Sequence, residues 1–98
     1  MPKAYLVVSY HSVKNTEALQ AYAKLAGPAI EAAGGKFIVR GMPAKTLEAG
    51  INERTVVIEF ASVDKAAAAY DTPGYQEALR ALGPDNVTRD MRIVEGTA

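Results

Sequence analysis

The chain has 98 residues, 49% of them hydrophobic and 22% charged, with 11 basic and 11 acidic side chains, one histidine and no cysteine. This length predicts one domain over residues 1–98, and the composition is that of a folded globular protein, not a disordered one. Balanced charge without a basic run argues against a nucleic-acid partner. The missing cysteines exclude disulfides and thiolate metal sites, and His11 alone cannot build a multi-histidine metal centre.

Met1-Pro2-Lys3-Ala4-Tyr5 lacks the charged segment, apolar core and cleavage site of a signal peptide. No apolar run approaches the ~20 residues of a membrane span. A cytoplasmic protein without a membrane partner or a bound cofactor is the expectation. Ala4 to Tyr10 is a nearly continuous apolar run that predicts a strand covered on both faces, with His11 and Ser12 just past its end. Asn15 follows as a helix N-cap, with Glu17 at the positive end of the dipole. Leu19, Tyr22, Ala26, Ile30 and Ala33 recur every three or four residues and form one apolar helix stripe, which Gly27-Pro28 should kink without dividing.

Gly34-Gly35 ends that helix, since a sharp turn straight into a strand needs a backbone free to take positive φ. In the strand Lys36 to Gly41, simple alternation puts Phe37 and Val39 on one face and Lys36, Ile38 and Arg40 on the other. The strand can continue, bent at Met42-Pro43, towards Leu47, before a turn over Glu48 to Asn52. Thr55 to Phe60 is the clearest strand. Ser62 caps a short helix with Val63, Ala66, Ala67 and Tyr70 on its inner face. Thr72-Pro73 restarts it as a second piece, with Tyr75, Leu79 and Leu82 on the apolar side and Gly83-Pro84 as the stop. Val87 to Glu95 is the last strand, with Val87, Arg89, Met91 and Ile93 sharing a face, and Gly96-Thr97-Ala98 reads as a frayed tail.

The order strand, helix, strand, strand, helix, strand gives an α+β fold: a ferredoxin-like βαββαβ protomer with a four-stranded antiparallel sheet and both helical regions on one face. Strands one and three look apolar on both sides, yet the helices can cover only one. A second copy of the chain is the expected cover, making a homodimer.

Several segments carry a resemblance when taken together and in order: Gly27-Pro28-Ala29-Ile30, Gly34 to Gly41, Val57-Ile58-Glu59-Phe60, Thr72-Pro73-Gly74-Tyr75-Gln76 and Ile93-Val94-Glu95-Gly96. Across nearly its whole length the chain is similar to the small bacterial family catalogued as domain of unknown function 1330, within the dimeric α/β-barrel superfamily. The resemblance implies two protomers joined sheet to sheet as a dimeric α/β barrel, with a pocket between the sheet and the helices of each. It also implies relatives that are monooxygenases, isomerases, haem-binding enzymes or ligand sensors, so it selects no reaction. Ala69 and Gly83 depart from the tryptophan and arginine that the resemblance leads one to expect.

Topology draws His11, Arg40, Tyr70, Tyr75 and Arg89 towards one end of the sheet. Such a set combines a group that titrates near neutrality, two permanent cations and two phenols, and suits a small organic acid or an enolate-forming ligand. Blander roles are available to each: a solvated loop for His11, a cross-strand pair with Glu59 for Arg40, core packing for Tyr22, Tyr70 and Tyr75, and a surface charge for Arg89. Three functions follow. The chain binds a small anionic molecule, or it is a cofactor-independent isomerase or monooxygenase, or it is a ligand-free interaction module whose interior is filled by Tyr22, Phe37 and Leu79. No nucleophile elbow, Walker loop or paired carboxylates point elsewhere.

Overall fold

Alternation of apolar side chains fixes which face of each strand turns inward, and the helical stripes supply what covers that face. The computed structural model describes residues 2–97. Its elements are β1 (Ala4–Val13), α1 (Thr16–Ala32), β2 (Lys36–Gly41), β3 (Thr55–Phe60), α2 (Val63–Tyr70), α3 (Pro73–Leu82) and β4 (Val87–Glu95). The strands form one sheet in the order β2-β3-β1-β4, every neighbouring pair antiparallel. This is the ferredoxin-like βαββαβ arrangement, with the second helical region split in two at Thr72.

Ala4, Leu6, Val8 and Tyr10 of β1 and Val56, Ile58 and Phe60 of β3 are buried, while the residues between them are only partly covered. The buried set faces Tyr22, Ala26 and Ile30 of α1, Ala66 and Ala69 of α2, and Tyr75, Ala78 and Leu82 of α3. Side chains cap all three helices: the Asn15 Oδ1, Ser62 Oγ and Thr72 Oγ1 atoms accept from the amides of Ala18, Lys65 and Tyr75 at 3.0, 3.2 and 3.3 Å. Helix α1 runs unbroken through Pro28.

The structure corrects four local expectations. First, β1 does not stop at Tyr10: it continues to Val13, and His11 is an extra residue within it, because the pairing with β4 slips between Tyr10 and Ser12. Second, β2 ends at Gly41 and does not extend past Met42-Pro43; residues 42–54 form an irregular connection that turns at Glu48, the one non-glycine with positive φ (52°) among the described residues. Third, the inner face of α2 is Ala66 and Ala69, three residues apart on one side of the helix, while Val63, Ala67 and Tyr70 turn outward and are exposed.

The fourth correction bears on function. The pairing of β2 with β3 slips at Ile38, so that Phe37 opposes Ile58, Val39 opposes Val57 and Arg40 opposes Val56. One extra residue in a strand reverses the facing of all that follow. Arg40 therefore shares the helix-covered side with Phe37, and Val39 turns to the opposite, uncovered side. Arg40 makes no pair with Glu59, which accepts from Lys3 Nζ at 3.2 Å on that other side. At the end of the sheet, the Gly96 amide donates to the Lys3 carbonyl at 2.7 Å, so the expected fraying does not begin there; Ala98 lies outside the described residues.

The glycine pair after α1 has two separate jobs. Gly34 takes φ +94°, and Gly35 lets the backbone pass against the core, where a Cβ would lie 2.5 Å from Ile30 Cγ2 and 2.9 Å from Phe60 Cζ. Gly35→Ala should therefore cost about 1–3 kcal/mol through overpacking, read as a lower denaturant midpoint. Gly41→Ala, where a Cβ meets nothing within 4 Å, should unfold like the parent. Equal midpoints for all three proteins would refute the close approach at Gly35.

Candidate functional site

The inward-facing side chains do not fill the space between the sheet and α1. A cavity of about 270 Å³ remains, floored by Leu6, Val8, Val56, Ile58 and Met91 and bordered by Ala23, Ala26 and Gly27 of α1. Its size is at the small end for ligand sites. The polar groups in its wall are Tyr10, Tyr22, Tyr75, Arg40, Arg54 and Arg89, with Thr16 and Gln20 from the first turns of α1. No carboxylate lines it.

The centre of this set is Arg89. Position 89 faces the helices because β4 pairs Arg89 with Tyr10, Met91 with Val8 and Ile93 with Leu6, all on the covered side of β1. Its Nη1 donates to the Tyr10 hydroxyl at 2.9 Å and to the Tyr22 hydroxyl at 3.2 Å, and its Nη2 reaches the Tyr75 hydroxyl at 3.5 Å. The guanidinium carbon also lies 4.8 Å from the ring centre of Tyr22 and 5.5 Å from that of Tyr10, within cation–π range. The Tyr22 and Tyr75 hydroxyls are 2.6 Å apart, and their rings meet edge to face with centres 5.9 Å apart. Thus β1, α1 and α3 each deliver one phenol to a cation from β4.

Donors outnumber acceptors here. The guanidinium is donor-only, and each phenol carries one O–H. Tyr22 and Tyr75 share a single hydrogen between their oxygens, so one of those two hydroxyls and the Tyr10 hydroxyl keep a hydrogen with no acceptor among the described residues. Burial raises the pKa of Tyr10 and Tyr75 above the ordinary phenol value, outweighing the pull of Arg89. Burial also opposes the charge on Arg89, but the surrounding phenol oxygens, Tyr22 first, more than offset it, so Arg89 holds its proton more tightly than a free arginine.

The five sequence-predicted residues divide. Arg40, Tyr75 and Arg89 line the cavity. Tyr70 does not: it is 42% exposed, its ring 5.3 Å from that of Tyr75 on the outer side. His11 sits apart, because the bulge in β1 turns it away and its Nε2 donates to Asp90 Oδ2 at 2.7 Å. Asp90 lies between the inward-facing Arg89 and Met91 and so faces away from the cavity, where it also pairs with Arg92 Nε at 3.3 Å. That hydrogen bond from His11 is the main reason the Asp90 carboxyl is held below its ordinary pKa. Tyr10, Tyr22 and Arg54 were missed as site residues. The signal for Tyr10 was its parity with Val8 and Leu6, and for Tyr22 its place on the α1 stripe, both of which read equally well as core. No group of three or more metal-ligating side chains is clustered among the described residues.

Comparison with known proteins follows the same outline. No curated protein matches. Among solved structures, a protein of unknown function from Rhodopseudomonas palustris has 18% identity and a TM-score of 0.74, the match covering 99% of this chain and 84% of that one. A dimeric ferredoxin-like protein of unknown function from Thermobifida fusca has 19% identity and a TM-score of 0.64, with 96% and 91% covered. SnoaB, a cofactor-independent oxygenase from Streptomyces nogalater, has 16% identity and a TM-score of 0.61, with 100% and 96% covered. At such identities the likeness is one of fold. The family is settled by sequence: residues 3–97 match the pattern described as Domain of unknown function (DUF1330), and the chain belongs to that family.

Proposed function

We propose that the protein is a homodimer that binds a small anionic organic molecule in the cavity of each protomer. The observation that carries the binding reading is the surplus of donors around Arg89, in a wall with three guanidiniums and no carboxylate. A partly buried cation without a counter-ion is costly, and an acid entering the cavity would supply the missing charge and accept the two free phenol hydrogens. The apolar floor and α1 border would take the rest of the ligand.

The uncovered sheet face supports the dimer. Val39, Val57 and Val7 stand side by side across three strands, with Tyr5 beside Val94 further along. Val39 and Val94 are 47% and 50% exposed. A contiguous apolar stripe on a sheet face is what a second sheet covers, and the Thermobifida fusca neighbour is a dimeric protein of this fold.

The enzymatic alternative draws on the oxygenase among the neighbours and on the ability of a guanidinium–phenol cluster to stabilise a developing oxyanion. Two features weigh against it. His11 lies outside the cavity, and phenols whose pKa is raised are donors at neutral pH, not bases. An enzyme built on this cavity would need a substrate that loses its proton without help. The interaction module needs a filled interior, and the open cavity speaks against it.

Three outcomes follow. Small carboxylic acids such as benzoate should raise the melting temperature of the wild-type protein, because binding to the native state alone stabilises it. Arg89→Met should lose that rise while still folding; a folded variant that shifts as far as the parent would remove Arg89 from the site. In sedimentation equilibrium the wild-type chain should show twice its monomer mass and Val57→Lys its monomer mass, whereas single chains for the wild type would rule out the dimer.

The phenols add a dependence on pH. Tyr10 and Tyr75 have folded-state pKa values above the ordinary 10.0, so their contribution to stability is complete below pH 10. As pH rises beyond that value the unfolded chain releases protons that the folded chain keeps, and stability falls. Ultraviolet titration should therefore show Tyr10 and Tyr75 ionising above pH 10, and Tyr75→Phe should remove part of that late absorbance change. A titration of the folded protein that Tyr10→Phe and Tyr75→Phe leave without any loss above pH 10 would show that these phenols are not buried donors.

A further inference from the structure

We infer that the ligand carries two anionic groups, one at each end of a short apolar body, with a small dicarboxylate as the simplest example. This rests on the reading of the cavity as an anion site and adds to it the spacing of the charges. The three arginines in the wall come from different parts of the sheet. Arg89 comes from β4 at one edge of the sheet, Arg40 from β2 at the other, and Arg54, immediately before β3, stands between them.

Register puts Arg89 and Arg54 on one row with Tyr10, and Arg40 on the neighbouring inward-facing row. Arg89 is opposite Tyr10, the Tyr10 amide donates to the Arg54 carbonyl at 3.0 Å, and Arg40 is opposite Val56, two residues further on. With strands ~4.8 Å apart, the backbones of Arg40 and Arg89 are on the order of 14 Å apart across the sheet. Their side chains line the same cavity, so the distance left between charged groups is that of a small molecule. Between the two edge strands the floor of the cavity is apolar, made by Val8, Val56 and Ile58.

Each end holds uncompensated positive charge. The ion pairs among the described residues, Lys3–Glu59, His11–Asp90 and Arg92–Asp90, involve none of the three arginines. At the β4 end, Arg89 is fixed by three phenols. At the β2 end, the guanidinium carbon of Arg40, an exposed residue, lies 4.5 Å from the Phe37 ring centre, within cation–π range. A ligand with one acid group would neutralise the Arg89 end, where Arg54 lies level with Tyr10, and leave Arg40 facing its apolar tail. A second acid group would meet Arg40, and guanidinium is the side chain best suited to hold a carboxylate in a fixed direction.

The test is titration calorimetry of the full chain with hexanedioate, octanedioate and decanedioate, each against the monocarboxylate of the same length, at one fixed ionic strength. At least one diacid should bind about tenfold more tightly than its monoacid, the gain of one added charge-assisted contact. In the Arg40→Met variant the advantage of the diacid over its monoacid should vanish, the comparison being made within the variant itself. Equal affinities for diacid and monoacid in the wild-type protein would overturn the two-ended ligand and leave the anion site standing. Failure of both series to bind would overturn the two together. A diacid advantage that survives in Arg40→Met would overturn the assignment of the second group to Arg40.

Discussion

An arginine on a strand position that faces the interior is the constraint on which the rest of the site depends. Position 89 alternates with Met91 and Ile93, so the sheet geometry turns Arg89 towards the helices. A buried charge normally brings a carboxylate with it. Here three phenols take that place, one each from β1, α1 and α3, and they can share the charge through hydrogen bonds and ring faces but cannot cancel it. The cluster thus satisfies the guanidinium's geometry while leaving its charge exposed to whatever enters the cavity. It also ties the two helical layers to the sheet, since the Tyr22–Tyr75 contact is the polar centre of the α1–α3 interface.

Most of the fold was legible because it rests on periodicity. Leu6, Val8 and Tyr10, or Tyr22, Ala26 and Ile30, announce their inward faces by spacing alone, and Asn15, Ser62 and Thr72 announce helix starts by their side-chain chemistry. The site was legible only in part, and the reason is the two bulges. Each inserts one residue without a sequence mark: Ile38 is an ordinary strand residue, and so is His11. Counting by twos across Ile38 placed Arg40 on the wrong face, and ending β1 at Tyr10 placed His11 at the rim of the cavity. The alternation rule is reliable within a strand segment and fails across a slip, since a bulge is decided by the partner strand as much as by the residues themselves.

The phenols illustrate a different limit. Tyr10, Tyr22 and Tyr75 sit on core positions by any periodic reading, and they are core: their rings are buried and packed. Only their hydroxyls are polar, and whether three hydroxyls converge is a property of the packing angles of α1 and α3 on the sheet. A tyrosine is amphipathic, so the structural and the chemical roles belong to the same residue and a sequence cannot separate them. Tyr70, one turn from the same interface but on the outer side of a very short helix, has the same composition signal and none of the geometry.

The two faces of the sheet are mechanically one object. Val7 and Ser9 face the uncovered side from the same strand whose Leu6, Val8 and Tyr10 floor and wall the cavity, and Val57 does so between Val56 and Ile58. Any partner packed on the outer side would fix the pleat of β1 and β3, and with it the direction in which Tyr10 presents its hydroxyl to Arg89. A sheet with one face exposed is free to change its twist; one clamped on both faces is not. The bulge at His11 lies within the last third of this central strand, where the hydrogen bond to Asp90 joins β1 to β4 one residue beyond the Tyr10–Arg89 contact. His11 and Asp90 therefore bear on the cavity from outside it, as the fastening that holds in place the strand end carrying Tyr10.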